Sequence, residues 1–295
     1  MEKEKNKVES STLYLVGTPI GNLADISDRA KKVLSEVDFI AAEDTRNSAK
    51  LLSCLGIKRE LVSYHEHNRK SAGEKILERL LSGESCALIT DAGMPAISDP
   101  GEDIVRLLAD AGVRVSVIPG ACAAVSALAL SALSTRRFAF EGFLSANKGE
   151  RLSRLECLKY EPRTVIFYEA PHKLKQTLSD MADIFGGDRR ISLCRELTKI
   201  NEEIIRTTLS EANRYYTENS PRGEFVLILE GAEEAGISPQ IKDSSPRSDL
   251  LSLSPEDHIA RYEKDGLTRM DAIKKAAKDR GMTKSELYKI VNKQE

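Results

Sequence analysis

The chain has 295 residues, of which 41% are hydrophobic and 31% charged, with a formal net charge of −2. That balance suits a globular protein with room for two domains. It excludes a broad electrostatic attraction to nucleic acid, which local basic patches would have to supply instead.

No apolar run approaches the ~20 residues that cross a bilayer. The polar start MEKEKNKVESS lacks the apolar core of a secretory signal, so a cytoplasmic location is expected. Five separated cysteines, with no CxxC pair, read as buried free thiols of a reducing compartment.

In chain order, 12–16 (TLYLV) reads as a buried strand running into a Gly-Pro turn. Helix 27–36, strand 38–42, helix 45–54, strand 61–64, helix 70–82, strand 86–90, helix 101–111 and strand 113–118 follow. Strands alternating with amphipathic helices indicate an α/β layer on a mostly parallel sheet. After Pro119-Gly120 comes a small-residue helix, ACAAVSALALSAL. A second set then runs as strand 138–142, helix 149–159, strand 163–168, helix 172–185, strands 190–195 and 203–207, helix 209–217 and strand 224–230. The two strands without an intervening helix predict a hairpin and a mixed sheet.

Residues 232–253 are rich in Gly, Ser, Pro and charge and read as a linker. Three short helical patterns follow at 255–264, 268–279 and 283–292, with Thr268 and Thr283 as N-caps and Gly281 in the last turn. The expected organisation is an α/β domain over 12–118, a second over 119–231, the linker, and a small helix-turn-helix-like unit over 254–295.

No GxGxxG, GxxxxGK[ST] or HExxH segment is present. His65 and His67 stand two apart on a strand without a third ligand, so no metal site is expected. Chemistry points instead to three Gly-Pro loops at strand ends: Gly17–Asn22, Asp91–Gly101 and Pro119–Ala124. Ligands of open α/β sheets bind outside those ends. Glycine admits close backbone approach and proline stiffens the loop.

The segments GTPIGNLADIS (17–27), AAEDTR (41–46), HEHN (65–68), TDAGMPAISDPG (90–101), PGACAA (119–124), EGFL (141–144), YEAPHK (168–173) and RELTK (195–199) resemble the tetrapyrrole methylase superfamily. Within it they are most similar to a subfamily that methylates small-subunit ribosomal RNA. Two departures stand out. Lys173 replaces an arginine, keeping the charge but losing the planar fork. Met94 stands where many tetrapyrrole enzymes carry aspartate, which fits the RNA subfamily.

The resemblance implies two α/β domains with S-adenosylmethionine in the cleft between them. Its donor loop maps to Asp91, Ala92, Gly93, Met94, Pro95 and Ile97, with Thr18 and Pro19 beside it. Ala121, Cys122, Ala123 and Ala124 make room for the donor, and Tyr168 and Glu169 end a strand across the cleft. Leu197, Thr198, Glu224 and Phe225 complete the set.

The implied reaction is methylation of a ribose 2′-hydroxyl, that of a cytidine in the decoding region of the small-subunit RNA, on naked RNA or the assembled 30S subunit. Candidates for the catalytic groups are Glu43, Asp44, Arg46, His65 and Glu66. RNA contacts are expected from Asn22, Asp25, Arg136, Arg137, Lys148, Arg151 and Arg154. The resemblance also implies a homodimer. The competing readings are a methyltransferase of a precorrin-type small molecule and a non-catalytic RNA-binding assembly factor.

Overall fold

The computed structural model describes residues 7–237, 253–264 and 266–291. Contacts divide the chain into two compact units, one up to Ile237 and one from Ser238. The first unit contains two five-stranded sheets.

The first sheet is built from β1 (Thr12–Val16), β2 (Phe39–Ala42), β3 (Glu60–Ser63), β4 (Cys86–Ile89) and β5 (Arg114–Ile118). Their order is β3-β2-β4-β1-β5 and every pairing is parallel. A parallel sheet needs both faces covered. Successive strand side chains point to opposite faces. Tyr14, Val16, Ile40, Ala87 and Ile89 therefore pack on α1 (Asp28–Glu36) and α2 (Thr45–Cys54). Leu13, Phe39, Ala41, Cys86 and Leu88 pack on α3 (Arg69–Leu81) and α4 (Gly101–Asp110). Ser27 caps α1 by accepting from Ala30 N.

After β5 comes α5 (Ala123–Leu130), then β6 (Phe138–Phe143), α6 (Lys148–Leu158), β7 (Thr164–Glu169), α7 (Pro171–Phe185), β8 (Arg190–Arg195), β9 (Glu203–Thr208), α8 (Leu209–Glu218) and β10 (Phe225–Leu229). The second sheet has the order β6-β7-β10-β8-β9. β6 and β7 are parallel, and the other pairs are antiparallel, including the β8–β9 hairpin. α6, α7 and α8 cover one face through Val165, Phe167, Leu193, Phe225, Leu227 and Leu229. α5 lies on the other face with Ile166, Cys194, Val226 and Ile228.

In the second unit α9 (Pro255–Lys264), α10 (Arg269–Asp279) and α11 (Lys284–Val291) share a core of Ile259, Tyr262, Ile273, Ala276 and Leu287. Thr268 caps α10. Thr283 and Glu286 form a reciprocal capping box at α11. Gly281 takes φ +66° in the intervening turn. Of the expected linker, 238–252 lie outside the described residues.

No helix among the described residues is long and apolar enough to cross a membrane. The thiols differ from expectation: Cys86 and Cys194 are buried, whereas Cys54 and Cys157 are exposed on helix surfaces. One element escapes the sequence reading, a 3-10 turn over Leu23–Asp25 capped by Asn22.

Candidate active site

Because the first sheet is parallel, all five strands end on one edge. The three Gly-Pro loops leave the adjacent strands β4, β1 and β5. Two backbone hydrogen bonds clamp the first pair of loops. Thr18 N donates to Gly93 O at 2.9 Å and Gly93 N donates to Thr18 O at 3.2 Å. The buried Thr18 hydroxyl donates to Thr90 O at 3.1 Å. Gly17 and Gly120 join the first loop to the third. A Cβ on Gly17 would sit 2.7 Å from both Gly120 Cα and Met94 Sδ. Gly93 adopts φ +90°, and its missing Cβ would lie 3.4 Å from Ala121 O. The result is a cradle of backbone and small side chains: Gly93 and Pro95 are buried, Met94 and Pro19 half-buried, Asp91, Ala92 and Ile97 exposed.

The second loop is stiff beyond Pro95. Ala96 and Ser98 both have positive φ. Asp99 Oδ1 accepts from Ala96 N at 3.0 Å and from Gly101 N at 2.7 Å. Tyr64 donates from its hydroxyl to Pro100 O at 2.9 Å, and burial together with the Asp103 charge pushes its pKa up to about 12.

The second sheet closes the cradle from the far side. Tyr168 accepts from Ala124 N at 3.3 Å through its hydroxyl. Its ring packs against Phe140 and Phe143, with centroids 5.1 and 5.5 Å away, and burial raises its pKa. At a bulge in β6, Gly142 comes so near the second loop that a Cβ would lie 2.9 Å from Ser98 Oγ. Gly21 of the first loop abuts Lys199 Cγ and Leu197 O. Thr198, at φ +65°, has a buried hydroxyl without a hydrogen-bond partner. The Lys199 ammonium and the Glu224 amide hold the Glu196 carboxyl below its usual range. Lys199 Nζ also meets Glu224 Oε2 at 3.1 Å. A solvent-open hollow of about 520 Å³ lies where Gly21–Leu23 face 198–201.

Two expected donor contacts are corrected. Glu169 follows Tyr168 on β7 and so faces the opposite side. It is buried there, accepting from Thr177 Oγ1 at 2.6 Å and from Ala170 N at 2.9 Å, and it anchors the start of α7. Phe225 likewise packs with Tyr216 in the core under α8, on the sheet face away from the cradle.

The two remaining strands, β2 and β3, end on the same edge with the expected catalytic groups. Glu43 accepts from Thr90 Oγ1 at 3.1 Å, and Asp91 accepts from Asn47 Nδ2 at 3.1 Å. Asp44 caps α2, accepting from Arg46 N at 2.8 Å. Glu66 shares Arg69 with Asp103. Arg46 projects into solvent with a 3.8 Å contact to Asp44. His65 has a buried Nδ1 without a partner, and its ring meets His67 edge-on at 5.9 Å. No trio of His, Cys, Asp or Glu suited to a metal occurs among the described residues.

The expected RNA contacts separate. Arg151 is corrected: its side chain is 9% exposed, it pairs with Asp180 at 2.7 Å, and its Nη1 donates to Ser145 O and Ala146 O. It braces the second sheet's helices instead of facing solvent. Arg154 is engaged by both oxygens of Glu141, and Arg137 by Glu233. Arg136 and Lys148 are exposed. The Asn22 side-chain Oδ1 accepts from Ala24 N, while Asp25 is exposed in the 3-10 turn. Thr90, Asn47 and Gly142 were missed. Thr90 was legible as the strand end just before Asp91, and Gly142 as a glycine inside a strand.

Comparison with known proteins follows the same lines. Residues 12–213 match the tetrapyrrole (corrin/porphyrin) methylases. A relative from Bacillus subtilis named ribosomal RNA small subunit methyltransferase I is 48% identical, covering 96% of this chain and 94% of the relative. A relative of the same name from Synechocystis is 43% identical over 94% and 96% of the two chains. Among solved structures, diphthine synthase superposes with TM-score 0.58 at 14% identity, over 75% of this chain and 90% of that one. A cobalt precorrin-4 methyltransferase gives 0.56 at 18%, over 75% and 95%. At such identities these structures share the fold alone.

Proposed function

Because this chain belongs to the tetrapyrrole methylase family, we propose that it transfers a methyl group from S-adenosylmethionine to small-subunit ribosomal RNA, at the ribose 2′-hydroxyl of a cytidine in the decoding region. The observation that carries the substrate is near-full-length identity of 48% to a relative named for that RNA. The same reading includes a homodimer acting in the cytoplasm on naked RNA or the 30S subunit.

The residues of the cradle fit the donor. Gly17, Gly93 and Gly120 leave no Cβ where three loops converge, and Ala121–Ala124 keep one wall low. The buried Thr198 hydroxyl lacks a protein partner and is available to a ligand. Bound there, the donor supplies a methyl group on a cationic sulfur. Gly93, Met94, Pro95 and Ile97 would hold it against the first sheet, with Tyr168 and Leu197 closing from the second. Thr18 acts indirectly, fixing the loops to one another. The loops' rigidity supports alignment of nucleophile, methyl and leaving group, from which much of the acceleration of such a displacement comes. Arg136 and Lys148 would meet RNA phosphates.

Mass spectrometry of small-subunit RNA nucleosides, with and without the protein, tests this directly. A 2′-O-methylated cytidine should appear only with the protein. Methyl transfer to a precorrin but not to RNA would overturn the reading.

A further inference from the structure

The order of the first sheet separates the two halves of a methyl transfer. The donor cradle uses the ends of β4, β1 and β5, where residues of the second sheet and the loop after β8 meet the three loops at Ser98, Gly21 and Ala124. β2 and β3 continue the same edge on the other flank, next to β4. An acceptor reaching the donor along this edge would pass over the ends of β2 and β3.

The carboxylates there are not equivalent. Asp44 caps α2, Glu66 and Asp103 share Arg69, and Asp99 is committed to its own loop, with two backbone amides on Oδ1. Glu43 and Asp91 remain, each held by one neutral side-chain donor from the neighbouring segment. Asp91 opens the donor loop two residues before Gly93. Glu43 directly follows β2, one strand outward, and is exposed. Ala42 pairs with Ile89, so Glu43 and Thr90 leave the sheet side by side. The Thr90 hydroxyl, donating at 3.1 Å, fixes one carboxylate oxygen and leaves the other open.

We propose that Glu43 is the general base, oriented by Thr90, that takes the proton of the ribose hydroxyl. The inference rests on the ribose acceptor named above. In the step, the ribose O–H bond breaks and its proton passes to the open Glu43 oxygen. The hydroxyl oxygen bonds to the methyl carbon as the carbon–sulfur bond breaks, and that bond's electron pair stays on sulfur. The exposed Glu43 then returns its proton to solvent.

The test is single-turnover and steady-state methylation of unmethylated small-subunit RNA or subunits, alongside calorimetric titration with S-adenosylmethionine. Glu43→Gln should lower the chemical rate by about 100-fold or more. Donor affinity and the RNA KM should hold within about threefold, which also reports an intact fold. Thr90→Val should lose part of the rate and Thr90→Ser should restore it. A Glu43→Gln rate within about threefold of wild type would refute the assignment, as would a large rate loss confined to Asp91→Asn. Wild-type enzyme that forms no ribose-methylated nucleoside would instead refute the acceptor itself, so the two failures are distinguishable.

Discussion

Substituting Gly17 by alanine isolates the contact that joins the first and third loops. Gly17 has no positive φ, so alanine suits its backbone and the perturbation is purely steric. The new methyl would stand 2.7 Å from Gly120 Cα and 2.8 Å from Gly120 N. Carbon contacts are favourable at about 3.5–4.0 Å, so the loops must part by roughly an ångström. Gly120 is backbone and cannot rotate away. Gly17 N is bound to Ile118 O at 3.1 Å, and Val16 pairs with Ile118, so parting the loops strains the β1–β5 ladder. Overpacking of this kind costs about 1–3 kcal/mol. For a body of this size each kcal/mol is worth roughly 2–4 °C, so the melting temperature should fall by about 2–12 °C. Donor affinity, read by calorimetric titration, should fall about tenfold or more, corresponding to ~1.4 kcal/mol. Gly112→Ala is the control. It forces alanine to φ +68° in open space, costing about 1–2 kcal/mol, and should leave the donor affinity unchanged. Gly17→Ala protein that binds S-adenosylmethionine like wild type would refute the cradle.

Other outcomes follow from the same contacts. Arg151→Ala strands the Asp180 carboxylate in the core and should lower the denaturation free energy by about 3–5 kcal/mol. An unchanged urea midpoint would contradict its role as a brace. Arg136→Glu with Lys148→Glu should flatten the salt dependence of RNA binding by about 0.7 per lost phosphate contact, and an unaltered slope would remove both from the interface. Burial and the nearby Arg280 charge hold His258 below its ordinary 6.5. Below pH ~6.5 the unfolded chain therefore binds more protons than the folded one. The α9–α11 unit should lose stability as pH falls through that window, levelling off at the depressed folded value. Amide protection factors of α9–α11 at pH 7 and 5.5 measure this, and equal protection would contradict it.

The elements of both sheets are legible because their signals are local: apolar strands, amphipathic helices, and Gly-Pro turns. The β8–β9 hairpin is legible from the missing helix. The insertion of β10 between β7 and β8 is not, because long-range packing decides it and no local pattern marks it. Arg151 looks like Arg154, three residues on, and the partner that buries it is Asp180, distant in sequence. Glu169 and Phe225 were readable. Tyr168 and Glu169 are adjacent on a strand and cannot face the same ligand. The Glu43–Thr90 bond was out of reach, because it depends on β2 and β4 being neighbours.

The position of β1 in its sheet has a consequence for biosynthesis. β1 is made first, yet its neighbours are β4 and β5, so Leu13 pairs with Cys86 and with Val115. Such long closures slow folding and leave apolar strands open to wrong partners. On the ribosome, one edge of β1 stays open until residue 118 has emerged, and the row from Leu13 to Val16 must wait wholly unpaired until Leu88 has emerged. A chain arrested before that point exposes a four-residue apolar strand that only its own later segments can cover.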